Sequence, residues 1–375
     1  MKRYSIITSL IAAIVIAMSG CNKMLDIQPS NQITSAAVWN DVNLMRAYIN
    51  DMYRTIGLGE FNSTSGLSVC GDEAMWTNGA TPIVQSTITS SNLDILGGSR
   101  FNFLLWGDLY SAIRNCNDFL ENSQGSTVAD QELVKQLRGE AYFLRGYYYQ
   151  NLMRMNGGVP IITKVYGLED TTAIARNTFE ETIAFIVKDA DSAATLLPAS
   201  YDAANLGRAT KGAAMALKAR VLLHAASDLY NLNPSGMLET GYVNASAADR
   251  QARWTAARDA AKALMDLNLY QLYMANPAPG DSAAANYANV FLTKTNEEII
   301  MNRFTSVENG APNVGTWFSP NGYHGWGENS PIQAHVDAYR MKDGSKFDWN
   351  NPVHAAHPYE NRDPRFYATV FYDGA

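Results

Sequence analysis

LRGEAYFLRGYYYQNLMRMNGGVPIIT, residues 137–163, is the stretch whose reading decides the fold. Leu137, Ala141, Leu144, Tyr148 and Leu152 recur at three- and four-residue steps, which puts them on one face of a helix at 3.6 residues per turn. Asn156-Gly157-Gly158 supplies the left-handed and flexible positions that end a helix, and Val159-Pro160 prevents its resumption. Ala141 and Gly146 are small enough to admit a second helix backbone, with aromatics filling the groove beside it. Three consecutive tyrosines, Tyr147 to Tyr149, cannot all lie on one inward stripe, so at least one is expected to meet a neighbouring loop or partner. Arg138 and Arg145 share a face and are expected to pair with acids of the next helix, an exposed pair being worth ~0–1 kcal/mol.

The motif recurs. Arg138-Gly139-Glu140-Ala141 with Leu144-Arg145-Gly146 matches Lys211-Gly212-Ala213-Ala214 with Leu217-Lys218-Ala219. The offset of roughly 73 residues is about twice the ~34-residue period of a tetratricopeptide helix pair. Helices are predicted over 42–56, 101–121, 130–155, 179–197, 211–229 and 253–267, with Asp41 and Asp130 as N-caps. Trp39, Trp106 and Trp254 fall at helix starts or on helical faces and read as packing residues. The fold class is therefore mainly α, a tetratricopeptide-like helical repeat. Residues 58–100 form a long polar connection, of the kind that carries function when it is ordered. Beyond Pro277 the periodicity fades: Glu298-Ile299-Ile300-Met301 reads as a short strand, and 309–329 as a Gly/Pro/Asn loop with four aromatics.

At the amino end, Lys2-Arg3 precedes an apolar run from Ile6 to Met18, the layout of a secretory signal. The run falls short of the ~20 residues that span a bilayer. Met18-Ser19-Gly20-Cys21 resembles a bacterial lipobox, which makes residues 1–20 a lipoprotein signal peptide and Cys21 the lipidated residue of a tail over 21–40. Several acyl chains, each CH₂ worth ~0.8 kcal/mol on burial, anchor a protein firmly. The formal charge of −7, without a basic run, argues against a nucleic-acid partner. Cys70 and Cys116 are compatible with a disulfide in an exported chain and equally with two buried thiols.

In series, several segments resemble the RagB/SusD family of nutrient-binding outer-membrane lipoproteins of Bacteroidetes. They are the lipobox with Cys21-Asn22-Lys23-Met24-Leu25-Asp26 and Pro29, AYFLRGYYYQNLMRMNGGVPIIT (141–163), GRATKGAAMALKARVLLHAA (207–226), NEEIIMNRF (296–304), SPIQAHVDAYRMKDG (330–344) and NRDPRFYATVFYDG (361–374). Gly146 and Met155-Asn156 depart from the commoner Ala and aromatic-Gly. The resemblance implies a SusD-like helical-repeat region over 41–305 with a ligand loop at 58–100, then a loop-rich part from 306 to 375. It implies a surface-exposed lipoprotein of the outer membrane that captures oligosaccharide or another nutrient for a SusC-like TonB-dependent transporter. Family members usually continue well past the NRDPRF segment, so the loop-rich part is expected to be incomplete here.

No residue pattern calls for catalysis. The five histidines include no HExxH spacing, there is no GxSxG elbow, and the acidic pairs Asp72-Glu73, Glu180-Glu181 and Glu297-Glu298 are merely adjacent. No catalytic residue, metal ligand or cofactor is assigned. Sugar binding asks for other chemistry: flat aromatic faces against C–H faces, and planar amides or guanidinium groups against hydroxyls. Two stretches supply it, residues 72–79 with Trp76 and Asn78, and residues 317–326 with Trp317, Tyr323 and Trp326. Each tryptophan has the alternative of burial as a plug beneath its loop. Against the capture reading stand a surface glycoside hydrolase, which needs two carboxylates across a cleft, and a scaffold or peptide-binding repeat without a sugar ligand. In Asn361-Arg362-Asp363-Pro364-Arg365, the arginines are expected to tie loop carbonyls or carboxylates.

Overall fold

The computed structural model describes residues 35–56, 67–76, 84–87, 89, 106–167, 169–170, 173–231, 241–242, 249–274, 277–280, 282–304 and 314–374. Its elements are α1 (Ser35–Trp39), α2 (Val42–Met52), β1 (Ala74–Met75), α3 (Trp106–Asn122), α4 (Gln131–Asn156), α5 (Phe179–Leu196), α6 (Lys211–Ala226), α7 (Asp228–Asn231) and α8 (Arg250–Met265). Then come α9 (Ala283–Leu292), α10 (Val314–Phe318), β2 (Ser330–Pro331), α11 (Gln333–Ala338), α12 (Pro352–Ala356) and α13 (Pro364–Thr369). Helices α3 to α6 and α8 stack in chain order, each packed on the next, and α2 packs on α4. This is a tetratricopeptide-like helical repeat with a loop-rich part beside it.

Local chemistry sets the helix starts. The Asp41 carboxylate accepts from the Asn43 and Leu44 amides, and Asp130 accepts from Leu133. Thr178 and Glu181 form a reciprocal capping box at the start of α5. At the far end of α4, Gly157 takes φ 73°, and the Arg176 guanidinium caps the freed carbonyls of Asn156 and Gly158 at 2.7 Å. The two copies of the sequence motif occupy equivalent places. A Cβ on Gly139 of α4 would lie 2.9 Å from Leu196 Cβ at the end of α5, and one on Gly212 of α6 would strike Tyr270, just past the end of α8. Each glycine clears the path for the end of the helix that follows.

Helix α4 departs from a one-sided reading. Tyr147, Tyr148 and Tyr149 are all buried, along with most of the helix from Leu137 to Met153. The physical reason is wrapping: α2, α3, α5 and α6 contact the helix from different sides, and the chain after it folds back over it. Tyr148 donates to Met52 O at 2.6 Å, whereas Tyr149 exchanges hydrogen bonds with both backbone groups of Ile162, so the loop contact falls to Tyr149. Tyr110 and Asn117 of α3 donate to the carbonyls of Pro160 and Ile162, which satisfies the irregular 159–162 segment without a strand partner.

Polar groups inside the stack are paired. Arg145 grips Asp189 of α5 with two bonds, Nε to Oδ2 at 2.7 Å and Nη2 to Oδ1 at 2.8 Å, while Nη1 donates to Asn117. The pair is buried, with side chains 8% and 2% exposed, so the acid on the next helix is where the spacing asked for it but not on the surface. Arg138 instead donates to Leu120 O and Ser123 Oγ at the end of α3. Cys116 is a free thiol in the core, pushed far above its ordinary pKa by burial. The side chain of Cys70 and all of Cys21 lie outside the described residues. Trp39 packs on Tyr48 and Phe119, but Trp106 and Trp254 are exposed.

Beyond α8 two expectations change. Residues 298–301 form no strand; Glu297 O accepts one bond from the Gln271 amide, no ladder follows, and Ile300 and Met301 settle against the main core. Residues 283–292 form the helix α9, capped by Ser282 and packed on α13. A separate cluster of Val336, Phe366 and Val370, with Tyr339, Tyr359 and Tyr372 packed against it, forms a small second core in the loop-rich part. There Arg362, 1% exposed, donates to the carbonyls of Val336, Tyr339 and Pro358 and lies over the Phe347 ring. Asp363 caps α13 and pairs with Arg365.

The hydrogen bond from the Arg365 guanidinium, and then that from its amide, hold the Asp363 carboxyl down at about 2. A folded pKa below the ~3.9 of an unfolded Asp stabilises the fold fully above that value. The contribution is lost as pH falls through about 2. A carboxyl-detected NMR titration should place the Asp363 midpoint near 2, moving up toward ~3.9 in Arg365→Gln. An unmoved midpoint in that variant would rule out the guanidinium as the cause.

Candidate functional site

A short ladder ties the early aromatic stretch to the chain just beyond the late one. β1 pairs antiparallel with β2, Ala74 opposite Pro331 and Met75 opposite Ser330. The Ile332 amide donates to Glu73 O at 3.1 Å, and Asn329 Nδ2 donates to Ser68 Oγ at 2.8 Å. The early segment is thereby fixed to the end of the late loop.

The late loop folds back on α10. The amides of Trp326, Gly327 and Glu328 donate to the carbonyls of Thr316, Ser319 and Trp317 at 2.7, 2.9 and 2.8 Å. These three bonds set Trp317 and Trp326 side by side, ring centroids 6.4 Å apart and planes within 20°. Trp317 is half-buried and Trp326 is 55% exposed. Between them the chain turns through Gly322 at φ 90° and His324 at φ 62°, lifting Tyr323 to 80% exposure. Gly325 is required at the foot of this turn, because a Cβ there would stand 1.9 Å from Ser319 O.

Of the expected ligand residues, Trp317, Tyr323 and Trp326 thus share one loop and present aromatic surface together. Trp76 is half-buried and packs on Val69 and Ala74, so it plugs the small core under its own segment while standing at the end of β1. Asn78 lies outside the described residues. Two supporting residues were not read from the sequence. One is Gly325; the other is Glu328, a buried residue whose amide bonds Trp317. A glycine between His and Trp in a turn-rich loop was the available signal for the first; nothing in the order of residues marks the second. Among the described residues no group of His, Cys, Asp and Glu is arranged to hold a metal ion, and no helix is long and apolar enough to cross a membrane.

A stack of helix pairs carrying an aromatic loop defines a helical-repeat protein with a surface platform. The SusD-like family model described as "Starch-binding associating with outer membrane" matches residues 23–223, and the SusD family model matches 290–375. The chain belongs to the SusD/RagB family. Two SusD-like proteins of Formosa agariphila are 23% identical over 221 residues and 26% identical over 197. The matches take in 56% and 50% of this chain and 41% and 36% of theirs, so the chain spans about two fifths of those relatives. The crystal structure of a SusD-like protein from Bacteroides fragilis superposes with a TM-score of 0.67 at 27% identity, over 91% of this chain and 62% of that one. A SusD-like carbohydrate-binding protein from the same organism gives 0.68 at 20% identity, over 90% and 61%, a likeness of fold.

Proposed function

We propose that the protein captures oligosaccharide at the cell surface on the loop of Trp317, Tyr323 and Trp326 and passes it to a SusC-like TonB-dependent transporter. Cys21 carries the lipid that holds the protein on the outer membrane. The observation that carries the reading is the near-parallel, partly exposed tryptophan pair, with Tyr323 80% exposed on the turn between them. Large rigid rings offer area to the C–H faces of sugars while losing little conformational freedom. Membership of a family described as starch-binding and outer-membrane-associated supports the ligand class and the location. Capture is an equilibrium, with no bond made or broken, and the carboxylates near the platform are not asked to do chemistry.

Affinity electrophoresis of the unlipidated protein through gels containing a panel of polysaccharides tests this. Retardation is expected in one glycan class, without release of reducing ends. Trp317→Ala/Trp326→Ala should weaken it by about tenfold or more, since truncated aromatic anchors typically cost ≥ ~2 kcal/mol. Retardation by the wild type that survives in the double variant would remove the platform from the binding site. Release of sugar would replace capture by hydrolysis.

A further inference from the structure

A second concave feature opens in the helical part, away from the aromatic loop. It is a cleft of about 320 Å³ whose walls include Asn50, Tyr53, Arg54, Arg208, Arg303 and Phe304. No residue of 67–76 or 314–331 lines it. In a chain of formal charge −7, the described residues that line this cleft include three arginines and no carboxylate. Its size falls at the lower end of the roughly 300–1,000 Å³ typical of small-ligand sites.

The three arginines stand in different states. Arg208 is fixed: Nη1 donates to the buried Glu140 at 2.8 Å, Nε to Asn205 Oδ1 at 3.2 Å, and Nη2 to Asn50 Oδ1. Asn50 accepts from Arg208 through its side-chain oxygen, which leaves its Nδ2 group as the donor end of the amide. Among the described residues Arg54 pairs with Asp51, 3.1 Å away, in a contact with side chains 83% and 65% exposed, which holds it weakly. Arg303 is exposed and has no ion pair among the described residues. Beside them Phe304, 44% exposed, has its ring next to Gly207.

Guanidinium forks match a carboxylate, a fixed amide matches a hydroxyl, and an exposed ring matches a sugar's C–H face. We propose that this cleft binds a saccharide unit bearing a carboxylate, a uronic acid, as a site separate from the Trp317–Trp326 platform. The saccharide part rests on the capture reading above; the choice of an acidic unit rests on the arginines alone.

Calorimetric titration with D-glucuronate, D-glucose and acetate tests it. Glucuronate should bind, glucose and acetate should bind much more weakly, and 0.5 M salt should weaken the sugar acid. Arg54→Gln/Arg303→Gln should lower its affinity about tenfold or more, the loss expected for charge-assisted bonds. Arg303→Lys, which keeps the charge but not the fork, should fall between. Both arginines are exposed, and an unchanged thermal transition confirms that the fold is intact. Trp317→Ala/Trp326→Ala should leave glucuronate affinity unchanged, so this site and the platform can fail independently. Absence of glucuronate binding, equal binding of glucose or acetate, or full affinity in the double arginine variant would each overturn the proposal.

Discussion

Arg145→Ala is expected to destabilise the fold by about 3–5 kcal/mol, the range for removing one partner of a buried ion pair. The loss comes less from the bonds themselves than from what is left behind. Asp189, 2% exposed on α5, would keep a charge with no guanidinium to meet it, and Asn117 would lose the donor now 2.8 Å from its carbonyl. Asp189→Ala should cost a similar amount by stranding the arginine. Arg145→Met/Asp189→Leu, which removes both charges and restores volume, should cost less than either single change. Urea denaturation of the four proteins measures this. A loss below about 1 kcal/mol in the single variants would mean that the pair behaves as a solvated surface contact.

Gly325→Ala is the second large effect, and it acts on binding. The added Cβ would stand 1.9 Å from Ser319 O, a backbone atom that a rotamer change cannot move aside. The loop must give way, and Ser319 O is also the acceptor of the Gly327 amide. The bonds that set Trp326 alongside Trp317 lie within the same few residues, so glycan retardation should be lost as fully as in the double tryptophan variant. Among the described residues the main core cluster includes none from this turn, so the main thermal transition should move by no more than the ~1–3 kcal/mol of an overpacked site. Wild-type retardation in Gly325→Ala would show that the turn does not shape the site.

The helical stack was legible because its signals are local. Asp41, Asp130 and the Thr178–Glu181 box are short-range capping chemistry, and the motif of a basic residue, Gly, any residue and Ala repeats because two helices meet the same packing problem. Readings that required knowledge of neighbours did less well. The three buried tyrosines follow from helices arriving on several sides of α4, which periodicity within one helix does not record. Residues 298–301 have the composition of a strand but no partner strand. α9 is the converse, a helix with Phe291 and Leu292 exposed and so no inward stripe to detect. At the candidate site, aromatic content beside Gly, Pro and Asn singled out Trp317, Tyr323 and Trp326, and the two tryptophans lie side by side. The partial burial of Trp76 depended on Val69 and Ala74 beneath it. The arginine cleft was invisible because Arg54, Arg208 and Arg303 belong to three separate segments.

The β1–β2 ladder has a consequence for the order in which the molecule is made. Its two strands, Ala74–Met75 and Ser330–Pro331, are separated by the whole helical stack, so they pair only after the intervening helices have been synthesised. Helix pairs built from near neighbours fold early, because they close short loops. The late contact is then cheap: each doubling of a closed loop adds only ~0.6 kcal/mol of entropic cost, and a prefolded stack shortens the effective span. Two residue pairs therefore suffice to clasp the early segment to the aromatic loop. A nascent chain therefore builds its helical stack before the aromatic loop is tied to the early segment.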